Sequence, residues 1–162
     1  MNKIDYLEKE LSRLLEWIKS ADTRISLILP LSTAMLGAIA ALAPNESAWT
    51  VGSGISVAFT TFFLLSSIFS VAMASFPRTN GPKGSLIFFS GINSKELDQF
   101  RANVDSMSED SYKNDLINQC HINAQIAETK FFWIKKSIMF LFASSIPWFF
   151  SIYYLYGVIE NG

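Results

Sequence analysis

"FFWIKKSIMFLFASSIPWFFSIYYLYGVIE", Phe131 to Glu160, decides the fold. Charge stops at Lys136 and does not return until Glu160. A run of that length meets the ~20 apolar residues that a helix needs to cross the hydrocarbon of a bilayer. Such a segment must be helical or part of a closed barrel, because lipid offers its backbone no hydrogen-bond partner. Two more stretches of the same kind precede it, one between Arg24 and Glu46 and one between Glu46 and Arg78. The sequence therefore predicts three membrane helices, over 25–43, 51–75 and 137–158. With 162 residues, half of them hydrophobic and 14% aromatic, the chain reads as one all-α membrane protein.

Orientation follows from the basic residues. Five precede the first span and eight lie between the second and third, which accounts for all thirteen. The short 44–50 loop and the C-terminal tail have none. The positive-inside rule then places the N-terminus and the 76–136 insert in the cytoplasm and the C-terminus outside. Trp49, Tyr153, Tyr154 and Tyr156 suit the outer interface, and Trp133 the inner one. "ALA" at Ala41–Ala43 has the form of a signal-peptide cleavage site. The apolar run is longer than a signal h-region and Pro44 follows directly, so the segment is read as an uncleaved span.

Four segments result: an amphipathic helix over 1–24, a transmembrane hairpin over 25–75, a helical insert over 76–136 and a third span over 137–158. In the first, Asn2 is an N-cap candidate, and Ile4, Leu7, Leu11, Leu14, Ile18 and Ala21 recur at helical spacing, in phase with Ile25. That stripe packs either on the chain's own helices or in a short coiled coil between subunits. Thr33, Gly37 and Ala41, then Gly52, Ser56 and Thr60, then Ser66, Ser70 and Ala74 are small residues at four-residue spacing, which lets helix backbones approach closely in lipid. Pro30 and Pro147 fall inside spans, where kinks are expected.

After "FPRTNGPKGS", a turn-rich exit from the second span, comes "SLIFF". Its four apolar residues, Leu86 to Phe89, are too few to cross a membrane. They are expected in a short extended segment wedged under the helices, the alternative being Phe88 or Phe89 stacked on a planar ligand. Asn93 with Glu96 predicts a capped helix over 94–106. "SMSED" breaks it, and a longer helix from near Ser108 runs into the third span, with Tyr112, Leu116, Cys120, Ala124 and Ala127 as its apolar stripe. An insert of ~60 residues has a marginal core of its own, so it must lean on the N-terminal helix and on the stems of the spans.

One cysteine and one histidine supply neither a disulfide framework nor a metal-ligand cluster, and no Walker-type loop or nucleophile motif accompanies them. The chain reads as no enzyme and as needing no cofactor. A net charge of −1 gives a nucleic-acid partner no electrostatic support. The spans hold no acidic or basic residue, which argues against a proton relay. Two polar groupings remain, "SADTR" at Ser20–Arg24 and "NQCHINAQIAETK" at Asn118–Lys130. Amide side chains can read a base edge and basic ones can hold a phosphate. Against that, Arg24, Lys130, Lys135 and Lys136 also suit snorkelling at the interface.

"ADTR" (21–24), "FPR" (76–78), "SLIFFSGI" (85–92) and "DLINQCHINAQIAETKFFWIKKS" (115–137), in that order around the spans, resemble the Pycsar transmembrane effectors of bacterial anti-phage defence. Arg24 stands where lysine is expected and Ser90 where glycine is expected. The resemblance implies an effector that binds cyclic CMP or cyclic UMP, made by a pyrimidine nucleotide cyclase, and then disrupts a bacterial inner membrane, with the C-terminus in the periplasm. Separately, three helices with small-residue seams and no lumen charge cannot enclose an aqueous pore alone, so a homo-oligomer is expected, with the N-terminal stripe and the Thr33/Gly37/Ala41 and Ser66/Ser70/Ala74 rows as candidate contacts. A cyclic mononucleotide needs a cation for its phosphate, amides for its base and an apolar wall. On this reading Arg24, Arg78 and Lys130 hold the phosphate, with Asp22 orienting Arg24. Gln119 and Asn123 read the base, and Phe89 forms the wall. The competing readings are a holin-like or structural membrane protein gated by a protein partner and, more weakly, a transporter accessory subunit.

Overall fold

The computed structural model describes residues 2–45, 48–76, 81 and 84–161. It is 86% helical, with no strand among the described residues. Five helices follow in order: α1 Lys3–Ala41, α2 Val51–Ser75, α3 Phe89–Asn93, α4 Leu97–Asp105 and α5 Glu109–Asn161. Three of them, α1, α2 and α5, are long and apolar enough to cross a membrane. The chain divides into two compact units, a polar one of Met1–Ala21 with Pro77–Thr129 and a membrane one of Asp22–Phe76 with Lys130–Gly162. The exit turn after the second span lies largely outside the described residues.

The N-terminal amphipathic helix continues into the first span as one α1, with the amide of Ile4 donating to Asn2 Oδ1 at 3.4 Å. Pro30 and Pro147 lie inside α1 and α5. Helix α2 starts where the apolar run starts, and a capping box fixes it there. Thr50 Oγ1 accepts from the Ser53 amide and Ser53 Oγ accepts from the Thr50 amide, so two otherwise unpaired donors are satisfied at the helix end. At α5 the amide of Ser111 donates to Ser108 Oγ, which fixes the start near the expected residue.

In the membrane unit the bundle interior is a seam of hydroxyls. Ser32, Ser53, Thr60, Ser67, Ser70, Ser137, Ser144 and Ser151 are buried beside Leu64, Val71, Ile134 and Leu155. Ser67 is the residue at which all three spans meet. Its hydroxyl donates to the Ser137 carbonyl and the Ser137 hydroxyl donates back to the Ser67 carbonyl, both at 3.0 Å, while Ser32 Oγ stands 3.4 Å from Ser67 Oγ. Thr60 and Ser151 hydroxyls lie 3.1 Å apart further along the α2–α5 contact. Trp148 Nε1 donates to the Met35 carbonyl at 3.1 Å and ties α5 to α1. Small hydroxylated side chains let the helices close up and supply hydrogen bonds that lipid cannot.

This geometry sorts the three small-residue rows. Ser56, Thr60, Ser70 and Ala74 are buried inside the bundle, whereas Thr33, Gly37, Ala41 and Gly52 are exposed. A methyl group built on Gly37 meets nothing within 4 Å. Gly52 faces the Tyr154 ring, at 3.5 Å from such a methyl group. Outward, the unit presents Leu27, Phe62, Phe69, Phe142, Ile146 and Phe149, the side chains that lipid solvates.

Ser67 generates a graded expectation. Ser67→Ala should cost about 0.6–1.7 kcal/mol, the range for one interhelical hydrogen bond in lipid. Ser67→Leu should cost more, because the site has no room and the added bulk must separate α2 from α5. In a Cys120→Ser background, cysteines at 67 and 137 should crosslink under mild oxidation. Absence of that crosslink in folded protein would refute the seam.

Candidate functional site

The polar unit is organised by one serine. Gly84, with φ +83°, turns the chain into Ser85, whose residue is buried. Ser85 Oγ donates to Asp115 Oδ2 at 3.0 Å. It accepts from the amides of Ile87 and Phe88, at 3.2 and 2.9 Å, and from Gln119 Nε2 at 3.2 Å. Asp115 Oδ2 also accepts from the Leu86 amide at 2.9 Å. Lys95 Nζ donates to the Gly91 and Ser85 carbonyls, at 2.7 and 3.3 Å. The segment 85–95 is thereby pinned to one face of α5 by a carboxylate and an amide a helical turn apart.

This corrects the expected shape of the "SLIFF" segment. Only Leu86 to Phe88 continue the chain as non-helical residues, Phe88 being the extended N-cap of α3. Phe89 begins that helix and is 61% exposed, so it does not wedge beneath anything within its unit. Asn93 ends α3 rather than capping the next helix, and α4 starts at Leu97 behind Glu96, whose side chain makes no cap bond. Helix α3 exists because Gly91 is buried against the chain it follows: a Cβ on Gly91 would collide with the Ser85 carbonyl oxygen.

The α5 stripe also shifts. Leu116 and Ala127 are buried and Tyr112 and Cys120 half-buried, but Ala124 is exposed and Gln119 takes the central place. The hydrogen bond from Gln119 Nε2 to Ser85 Oγ explains how an amide tolerates that position, and Asn123 Nδ2 separately donates to the Gln119 backbone carbonyl at 2.8 Å. The N-terminal stripe packs within the unit: Leu14 and Ala21 are buried, Cys120 Sγ lies 3.5 Å from the Leu7 carbonyl, and Tyr112 donates to Glu8 Oε1 at 2.7 Å. The Glu8 bond, then burial, raise the Tyr112 pKa above its ordinary value of 10.0. Burial, then the charge of Glu10, raise that of the Cys120 thiol.

Of the seven residues expected at a ligand site, Phe89, Gln119 and Asn123 fall in the polar unit. Asp22, Arg24 and Lys130 fall in the membrane unit, and Arg78 lies outside the described residues. Asp22 pairs with Lys130 rather than with Arg24. Arg24 sits over the Phe131 ring, 5.4 Å from its centroid. Sequence reasoning missed Ser85, Lys95 and Asp115. The turn-rich run "GPKGS" that ends on it is the local signal for Ser85, a residue type that bonds backbone amides two and three residues on. Nothing local marks Asp115, thirty residues away.

Comparison with known proteins finds similarity to one family. The family model described as the Pycsar effector protein domain matches residues 6–157, nearly the whole chain. The Pycsar effector protein GmPycTM of Gulbenkiania mobilis is 31% identical over 77 residues, which are 48% of this chain and 39% of that protein. The match thus spans well under half of the relative's length. No solved structure matches significantly.

The serine hub and the thiol each make a measurable expectation. Asp115→Ala leaves the Leu86 amide without its acceptor and Ser85 Oγ without its acceptor. It should cost about 1–3 kcal/mol, read as faster hydrogen exchange at residues 86–88. Gly91→Ala should open the same segment through the clash with Ser85. Unchanged exchange in both variants would refute the hub. Because its pKa is raised, Cys120 should stay a neutral thiol at neutral pH and react with iodoacetamide more slowly than in unfolded chain, speeding up only above the ordinary thiol range. Equal rates would contradict the burial.

Proposed function

The chain belongs to the Pycsar effector protein domain family, and from that premise we propose that it is a membrane effector of anti-phage defence switched on by a cyclic pyrimidine mononucleotide. The family match over 6–157 carries this reading, and three membrane-spanning helices beside a polar unit suit it. The messenger comes from a separate pyrimidine nucleotide cyclase, and cyclic CMP and cyclic UMP are the two candidates. The chain itself performs no chemistry on it. The N-terminus and the polar unit face the cytoplasm of a bacterial cell and the C-terminus faces the periplasm, because every basic residue lies on one side.

We assign the base-reading contacts to the polar unit. Phe89 offers an exposed ring for stacking, and Asn123 offers an amide at the half-buried edge of α5. Lys95, whose ammonium bonds only carbonyl oxygens among the described residues, supplies positive charge for a phosphate. Gln119 acts as the clamp: reading a base with it means exchanging its bond to Ser85 for one to the ligand. The Ser85 hub is then what the messenger opens. Within the membrane unit, Arg24 and Lys130 form a separate, alternative set of phosphate candidates, Lys130 only by giving up Asp22, and Arg78 remains a phosphate candidate.

A ligand can shift the protein only by its preference between two arrangements. A preference of ~2–3 kcal/mol shifts the population about 30- to 150-fold. Helices α1 and α5 run without a break from polar residues into spans, which gives such a shift a mechanical route. Membrane disruption needs more than three tightly packed helices, so the active form is a homo-oligomer. The exposed Thr33–Gly37–Ala41 row is its candidate contact, since Ser70 and Ala74 are used inside the bundle.

Purified full-length protein should bind cyclic CMP or cyclic UMP in calorimetry. Gln119→Ala and Lys95→Ala should weaken that binding at least tenfold and abolish messenger-dependent loss of membrane potential, with expression and insertion intact. Arg24→Ala tests the other set. If it alone abolishes binding, the messenger sits elsewhere than on the Ser85 hub. If neither nucleotide binds the wild type, the messenger reading is wrong and a protein-gated membrane component is favoured.

A further inference from the structure

An open groove of about 730 Å³ lies along the outer surface of the membrane unit, between α2 and α5. Its floor is small because Ser66 and Ser70, one turn apart on α2, have no bulk to fill it. Both hydroxyls donate to their own helix, at the Phe62 and Ser66 carbonyls, 2.8 Å in each case. The floor is therefore free of unpaired donors. Its walls are large and apolar: Phe62 and Phe140 at one end, Trp133 at the other.

The groove has direction. Phe62 lies at the middle of α2 and Ser70 near its end, eight residues on, which is about 12 Å at 1.5 Å per residue. Half of a ~30 Å hydrocarbon core is about 15 Å. The groove thus runs from the bilayer midplane to one interface, the depth of a single leaflet. At the interfacial end stands Lys136, whose Nζ lies 4.4 Å from the Phe132 ring centroid and 4.8 Å from that of Trp133. No carboxylate among the described residues pairs with it. Two aromatic faces hold the ammonium at the mouth of the groove without neutralising it.

An apolar channel one leaflet deep, ending in an uncompensated cation, is complementary to one kind of molecule. We propose that this groove is a binding site for an anionic phospholipid. One acyl chain lies over Ser66 and Ser70 against Phe62 and Phe140, and the headgroup phosphate sits at Lys136. A small soluble anion would leave the apolar length unused. A zwitterionic lipid would fill the groove but gain less from Lys136, because its own ammonium competes for the phosphate. The site is independent of the messenger reading, since it shares no residue with the candidate messenger contacts.

The test uses full-length protein in neutral detergent, with native mass spectrometry reading lipid that stays bound. Phosphatidylglycerol and phosphatidylcholine of identical chains are offered in equal amounts. Phosphatidylglycerol adducts should dominate, and Lys136→Gln should lower their retention about fivefold, the share of one interfacial basic residue. Ser66→Phe fills the floor from the lipid-facing side. It should remove the adduct of either lipid while the 67–137 cysteine crosslink still forms, which shows the bundle intact. Inorganic phosphate should not displace the lipid. Equal retention of the two lipids, or an unchanged adduct in Lys136→Gln, overturns the proposal in favour of unselective annular lipid. A crosslink between copies through cysteine placed at 66 would instead make the groove a subunit contact and overturn it too.

Discussion

The membrane unit depends on the paired hydroxyls of Ser67 and Ser137. Lipid tails are as apolar as leucine, so apolar burial does little to draw helices together there. What remains is close packing and hydrogen bonding. Ser67 and Ser137 supply both, since each donates to the other's carbonyl while Ser32 of α1 approaches the Ser67 hydroxyl. Had these positions been leucine, the three helices would stand further apart and nothing would set their rotation. With the seam fixed, the outward faces follow. The bulky phenylalanines have nowhere else to go but lipid, and a groove is left beside them over the half-buried Ser66, with Ser70 closed beneath it.

The polar unit answers a different solvent with the same residue type. Here water competes for every hydrogen bond, so one serine alone could not hold a segment. Ser85 succeeds because it is buried and because four partners converge on its hydroxyl, one of them the Asp115 carboxylate. Charge-assisted bonds are the stronger kind. Gly91 completes the arrangement by allowing α3 to sit directly on the Ser85 carbonyl. A hub whose bonds are individually ordinary but mutually dependent is a reasonable element for a ligand to disturb, since losing one partner weakens the rest.

The two units constrain their residues unequally. Spans tolerate exchange among Leu, Ile, Phe and Val wherever lipid is the neighbour. The positions that the packing constrains most are small or paired: Ser67, Ser137, Ser85, Gly91 and Asp115. Several of them fall in the stretches "SLIFFSGI" and "DLINQCHINAQIAETKFFWIKKS", by which the chain resembles the Pycsar effectors.

The sequence by itself determined the membrane class, the three spans, the continuity of α1 and of α5, and the family. Those are properties of runs: hydrocarbon thickness sets a length and excludes charge, and neighbours along the chain suffice to read both. Helix α2 came out at 51–75 for that reason. Which side of each helix faces its partner was decided only by tertiary structure. Serine is small enough to sit in a seam and polar enough to sit outside it, so spacing could not separate the buried Ser70 from the exposed Thr33 row. The same holds for Phe89 and Ala124, whose apolar character suggested burial but whose partners within the unit had already been chosen by Ser85 and Gln119. Pairings such as Ser85 with Asp115 or Lys130 with Asp22 join residues far apart in the chain, and no local signal carries them.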